Sequence, residues 1–254
     1  MKIGLCASAD QAARAKAAGC DYIEPNLTTV ARMSEEAFAQ AAADLAAAGL
    51  RAEAMNCFIP GDFNLFSLED GAALTAYIRA GMARAKALGT EVIVFGSGGA
   101  RRLPGGVEKP EGLQKLARWF ALAGALAQEA GLTVVVEPLQ YKEDNAVNTL
   151  LEGLALMKQV NLPGLRLLAD MYHMGCNGEG YADILQTGAD LRHCHIARPE
   201  GRKYPLPGDG YDYAPFFAAL RENGYAARLS IEASPVNGPE DLPACVEYLR
   251  SLAQ

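Results

Sequence analysis

Short apolar runs alternate along this chain with longer segments of helical spacing. Eight runs have the composition and patterning of strands: Lys2–Cys6, Asp21–Glu24, Arg51–Cys57, Glu91–Phe95, Leu132–Glu137, Leu165–Asp170, Leu191–Ile196 and Arg228–Glu232. Alanine-rich stretches between them, among them Ala37–Ala48 and Leu74–Leu88, favour helix because alanine loses little entropy there. The punctuation agrees. Gly19, Gly49, Gly89, Gly131 and Gly224 stand where a helix must end before the next strand, and Ser34 followed by Glu35 and Glu36 reads as a helix start.

Strands that alternate with helices imply a parallel sheet, and eight such units without a long insertion predict closure into a single (β/α)8 TIM barrel, one domain over residues 1–254. An open doubly wound sheet is the alternative. Nothing in the composition marks a linker or a second domain. Two longer Pro/Gly-bearing loops, Phe58–Leu68 and Ser97–Val107, follow the third and fourth runs. On a barrel they would border the face where active sites are built.

A 50% hydrophobic content over 254 residues is enough to fill such a core. The formal net charge of −7 disfavours nucleic acid as a partner, since phosphate neutralisation needs a Lys/Arg-rich face. Six scattered cysteines without a CxxC pair suggest free thiols in a reducing cytoplasm. No membrane association is expected, because no apolar run approaches the roughly 18 residues of a spanning helix and the N-terminal run is too short for a signal peptide.

The chemistry concentrates at strand ends. Four runs finish on a hard metal ligand: Glu137 in VVVEP, Asp170 in LLADM, His195 in HCHIA and Glu232 in LSIEA. Each pair in succession is separated by about one strand plus one crossover helix, so all four side chains should converge on one rim. Three carboxylates and one imidazole suit Mn²⁺, Mg²⁺ or Co²⁺ better than a structural zinc site, which favours thiolates. An isolated acid at the end of an apolar strand is ordinary, but four in consecutive strands are not. His193 shares a strand face with His195; the position nearer the rim favours His195 as ligand and leaves His193 as a buried supporting histidine.

Further candidates lie on the loops beyond those strands. His173 lies three residues after Asp170 in ADMYHMG, just beyond the strand end, and could reach a hydroxyl or carbonyl of a bound ligand. Glu143, in EPLQYKEDN, could pin a hydroxyl or hold an arginine. Arg202, in RPEGRKYP, could bind substrate oxygen or pair with Glu200 or Asp209. FGSGGARR, over 95–102, invites a phosphate reading through Arg101 and Arg102, but it lacks the spacing of a dinucleotide or Walker loop. Phe58, Tyr141 and Tyr172 could wall a sugar pocket.

Together VVVEPLQYKEDNAVNT, LLADMYHM, HCHIARPEGR and LSIEAS resemble, in order and spacing, the xylose isomerase-like barrel superfamily, closest to its branch of ketose 3-epimerases (D-tagatose/D-psicose 3-epimerase) and hydroxypyruvate isomerases. The resemblance implies one divalent metal, most often Mn²⁺ with Co²⁺ or Mg²⁺ as alternatives, held by Glu137, Asp170, His195 and Glu232. It implies substrate contacts from Glu143, His173 and Arg202. The implied reaction is 3-epimerisation of a ketose through a cis-enediolate, with Glu137 and Glu232 as the acid and base. Aldose–ketose or hydroxypyruvate isomerisation is the alternative, and a metal-dependent hydrolase or phosphodiesterase like endonuclease IV would need more histidines than the three present. A homo-oligomer, dimer or tetramer, is expected. The first half of the chain departs from the epimerases: their N-terminal pocket aromatics have no clear match, and Cys6 ends the first run.

Overall fold

A computed structural model describes residues 1–254. Its eight strands are β1 (Lys2–Leu5), β2 (Tyr22–Ile23), β3 (Ala54–Met55), β4 (Val92–Phe95), β5 (Thr133–Val136), β6 (Leu165–Asp170), β7 (Leu191–Ile196) and β8 (Arg228–Ile231). All pair in parallel, in the order β2-β1-β8-β7-β6-β5-β4-β3. Each predicted run contains its strand, and the architecture is a (β/α)8 barrel.

The seam lies between β2 and β3, where each strand is only two residues long. The ladder is short because Pro25 has no N–H to donate and Cys57 turns into the left-handed region at φ 49°. Backbone bonds still bridge the gap: Ile23 N–H donates to the Arg51 carbonyl at 3.1 Å, and Leu27 N–H to that of Asn56 at 2.9 Å.

The helices start and stop for local reasons. The Ser34 hydroxyl accepts from Ala37 N–H and opens the helix Glu35–Ala48, which ends at Gly49 with φ 63°. Thr149 and Glu152 close a reciprocal capping box on Leu150–Val160. Three short helices lie on the loops after strands, Leu27–Ala31, Gly98–Arg101 and Met171–Asn177, the second inside the segment expected as loop.

Period-two alternation divides the core in two. Tyr22, Ala54, Val92, Val94, Val135 and Leu168 point inward and fill the barrel. Ile93, Phe95, Val134, Val136, Leu229 and Ile231 point outward into the larger apolar layer under the helices. Gly4 makes room for the interior ring of Tyr22, which would lie 2.3 Å from a Cβ at that position. No helix is long and apolar enough to cross a membrane.

Candidate metal centre

The alternation that buries the valines also fixes which residues crown the barrel. The inward-facing positions at the C-terminal ends of the strands are Cys6, Glu24, Asn56, Gly96, Glu137, Asp170, His195 and Glu232. A register shift between Leu167 and Leu168 sets Leu168 beside His193 and Asp170 beside His195. Without that shift the Asp170 carboxylate would sit out of step with the imidazole.

Glu137, Asp170, His195 and Glu232 offer donor atoms that all lie within 4.8 Å of one another. His195 Nδ1 is 3.0 Å from Glu137 Oε1 and 3.3 Å from Glu232 Oε2. Asp170 Oδ1 accepts from Tyr172 N–H at 2.8 Å, whereas its buried Oδ2 has no hydrogen-bond partner. The set fits a hard divalent cation, since oxygen ligands at about 2.0–2.6 Å from one ion span no more than about 5 Å.

The electrostatics favour the same occupant. Burial pushes the carboxyls of Glu137 and Asp170 above the usual range, with nearby histidine charge only partly offsetting it. Burial also acts on Glu232, but His195 and Arg202 outweigh it and hold that carboxyl low. For His195 burial disfavours the charged ring, yet Glu24 and Glu232 reverse the balance and raise its proton affinity well above the ordinary value. The cup is short of positive charge, and a proton on His195 is the weakest remedy for three carboxylates.

Glu24, which ends the second predicted run, was not among the candidates and proves central to the site. It is buried beneath the cup, with Oε1 2.9 Å from His195 Nε2 and Oε2 2.7 Å from His193 Nε2. A carboxylate can only accept, so both Nε2 atoms carry hydrogen; the same rule puts a second proton on His195 Nδ1, facing Glu137 and Glu232, and a bound cation would take that proton's place on the Nδ1 lone pair. Ser230 also donates to Glu24 Oε2, and Tyr22 Oη lies 2.7 Å from Ser230 Oγ. Burial raises the Glu24 carboxyl, but the two imidazoles outweigh it and leave the acid ionised. The signal was present in the sequence: YIEP repeats the pattern of VVVEP.

Above the cup, His173 is buried and its tautomer is fixed. Its Nδ1 accepts from Gln140 N–H at 3.1 Å, which leaves the hydrogen on Nε2; that nitrogen is 3.4 Å from Asp170 Oδ2 but makes no hydrogen bond to it. Burial lowers its pKa more than Asp170 and Glu143 raise it, so the ring is a neutral donor. Glu143 accepts from Gln140 Nε2 at 2.8 Å and stands 3.6 Å from Arg202 Nη1. Arg202 pairs neither with Glu200 nor with Asp209. It forms an ion pair with Glu232 Oε2 and lies 4.5 Å over the Tyr172 ring.

Other expectations are redirected. Arg101 is fully buried: it meets Asp144 at 2.8 Å and donates to the carbonyls of Phe95 and Glu137, so it braces strand ends and is closed to a phosphate. Arg102 turns toward the Glu143 carbonyl. Phe58 is core, edge-on to Phe95 at 5.4 Å, while Tyr141 is exposed; of the three aromatics only Tyr172 borders the site. Four non-glycine residues have positive φ, and three of them, Cys57, Ser97 and Arg202, line the cleft over the cup. Such backbone costs about 1–3 kcal/mol each and persists where surrounding structure enforces it, commonly at functional sites.

The chain is 35% identical over 108 residues to the L-ribulose 3-epimerase of Methylomonas sp. (strain DH-1), covering 42% of this chain and 37% of that enzyme. It is 31% identical over 102 residues to the 3-dehydro-D-guloside 4-epimerase of Escherichia coli (strain K12), covering 39% and 38%. In both, the match spans less than two fifths of the relative's own length. A crystal structure of D-psicose 3-epimerase in the presence of D-fructose superposes with a TM-score of 0.85 at 19% identity, over 100% of this chain and 99% of that one, a likeness of fold. A family model for the xylose isomerase-like TIM barrel matches residues 12–252, nearly the whole chain. The chain belongs to the xylose isomerase-like TIM barrel family.

Proposed function

We propose that the protein is a divalent-metal-dependent sugar epimerase, acting on a carbon beside a ketone, with Glu137 and Glu232 as the acid and base. The observation that carries this reading is the convergence of the buried carboxylate of Glu137, the half-buried carboxylate of Glu232 and His195 Nδ1 on the buried, unpartnered Asp170 Oδ2. The relatives named L-ribulose 3-epimerase and 3-dehydro-D-guloside 4-epimerase support it.

Glu137, Asp170, His195 and Glu232 would hold the ion, Mn²⁺ before Co²⁺ or Mg²⁺, given the oxygen-rich donor set. When bound, it would polarise the ketone and so acidify the neighbouring C–H. Glu137 and Glu232 project from β5 and β8, with β6 and β7 between them, and so flank the cup from two sides. One carboxylate can therefore take a proton from one face while the other returns one from the opposite face, which inverts the carbon. His173 Nε2–H would donate to a substrate oxygen, and Glu143 would accept from a hydroxyl. Arg202, lying over Glu232 and Tyr172, screens the cup from water and balances the charge of Glu232 while it exchanges protons.

The test is solvent exchange: the Mn²⁺-loaded protein in D₂O with a panel of ketoses, read by NMR. Deuterium at C3 identifies a 3-epimerase, and label at C1 or C2 an isomerase of adjacent carbons. Glu232→Gln should abolish exchange in a folded barrel, and persisting exchange with metal bound would remove Glu232 from the mechanism. Release of product from a phosphate ester without label at carbon would instead indicate a hydrolase.

A further inference from the structure

The cleft over the cup has two lobes that meet at Asn56, Cys57, Arg202 and Glu232. One, of about 450 Å³, contains Glu137, Glu143 and His173 and is bordered by Gly98 and Gly99. It carries every group given a part in proton transfer or in gripping hydroxyls. The other, of about 380 Å³, runs past Glu232 between the ends of β1, β2 and β8 and is walled by Cys6, Ala7, Val30, Met33 and Ala233. Each lobe alone is within the roughly 300–1,000 Å³ of a complete small-molecule site. A sugar reacting in the first leaves the second unfilled.

The second lobe is open for a reason visible in the chain. The segment after β1 reads Cys6-Ala7-Ser8-Ala9, and that after Glu232 reads Ala233-Ser234, so no large side chain crosses from either strand end. Its charges are already committed. Glu24 is held by two imidazoles and Ser230, Glu232 belongs to the metal cup, and Arg202 is shared among Glu232, Glu143 and the Tyr172 ring. No cation there is free to bind a phosphate or a carboxylate, and burying an unpaired charge is costly. Val30, Met33 and the alanines instead present apolar surface.

We propose that the substrate is a keto sugar bearing an uncharged, partly apolar substituent, a glycoside whose aglycone occupies the lobe of Ala7, Val30 and Met33, rather than a free ketose. The proposal rests on the epimerase reading and adds the substrate class to it. The sugar ring lies in the polar lobe, and the glycosidic bond passes beside Glu232 and Asn56 into the apolar one. Because the aglycone does not react, its contacts raise kcat/KM through positioning of the ring.

The Mn²⁺-loaded protein is incubated in D₂O with phenyl and methyl 3-keto-β-D-glucoside, and with D-fructose, D-tagatose, L-ribulose and D-fructose 6-phosphate, and exchange beside the ketone is followed by NMR. Expected is a kcat/KM for the phenyl glycoside about tenfold or more above that of any free ketose, with the methyl glycoside between and the phosphate ester slowest. Met33→Trp and, as an independent filling of the same lobe, Ala7→Leu should collapse the glycoside-to-ketose ratio about tenfold or more. Ketoses exchanging as fast as the glycosides, or a ratio unmoved in both folded variants, overturns the proposal and leaves the epimerase reading standing. Exchange from no substrate at all overturns both.

Discussion

Gly96 offers a way to dismantle the proposed metal cup without substituting a proposed ligand. It ends β4 on the inner face, and a Cβ at that position would lie 2.1 Å from Glu137 Oε2 and 3.2 Å from its Cδ. Its φ is outside the left-handed region, so alanine can adopt the backbone and the effect of Gly96→Ala is steric. Non-bonded heavy atoms need roughly 3 Å or more, so the carboxylate must retreat by about 1 Å. A displacement of that size costs about 100-fold in a positioned reaction, or about 2.7 kcal/mol of transition-state stabilisation. Loss of ligand orientation should weaken the metal by about 10–100-fold. Calorimetric titration of metal-free protein with Mn²⁺, together with deuterium exchange on the best substrate, measures both quantities. Gly105→Ala is the control, since nothing lies within 4 Å of a Cβ there. If Gly96→Ala folds, binds Mn²⁺ like wild type and exchanges at an undiminished rate, Glu137 is not a ligand and the site is wrongly drawn.

Glu24→Gln tests the support beneath the cup. An amide nitrogen cannot accept from an imidazole, so one ring must move its proton to Nδ1; if that ring is His195, its metal-facing lone pair is lost. Mn²⁺ affinity should fall about 10–100-fold while the melting temperature without metal changes far less. An unchanged affinity would refute the orienting role. Arg101→Met should destabilise the fold by about 3–5 kcal/mol in urea unfolding because it strands buried Asp144, whereas Arg101→Met combined with Asp144→Leu should recover much of the loss. Equal costs for the single and double variants would contradict this. Burial lifts the Glu179 carboxyl from 4.5 to about 7, so the native state holds a proton that the unfolded chain has lost. Its contribution is full below about pH 4.5 and disappears as pH rises through 7. Relative to wild type, Glu179→Gln should therefore melt at a higher temperature at pH 8 than at pH 5, and a pH-independent difference would refute the shift.

The periodic features of the fold were legible because alternation and helix punctuation are local. Every predicted run contains its strand, and Ser34, Gly49 and Gly131 sit at the helix ends assigned to them. The strand-end residues Glu137, Asp170, His195 and Glu232 were visible by the same logic, since period two and a shared rim suffice to bring them together. What depends on partners across the barrel was not legible. Arg101 looked like a loop cation and is a buried brace, because Asp144 and the Glu137 carbonyl reach it from another loop. Arg202 found Glu232 and Glu143, ahead of its neighbours in sequence, because its loop folds back along β8, where Lys203 bridges to Ser234.

Glu24 and Glu137 show where local pattern stops deciding function. Both follow apolar strands, precede a proline and point into the barrel, and both are buried. They meet opposite nitrogens of one imidazole: Glu24 faces Nε2 and Glu137 faces Nδ1 of His195. That difference follows from ring position. Glu24, on β2, lies below with His193 and Ser230 and has all its charge absorbed by hydrogen-bond donors. Glu137, on β5, stands next in the ring to Asp170, whose like charge and unpartnered oxygen leave both carboxylates in need of a cation. The same residue type is thus an orienting acceptor under the site and a proposed ligand within it. The histidine between them makes the two jobs one, since the proton Glu24 holds on Nε2 is what leaves Nδ1 free for a metal.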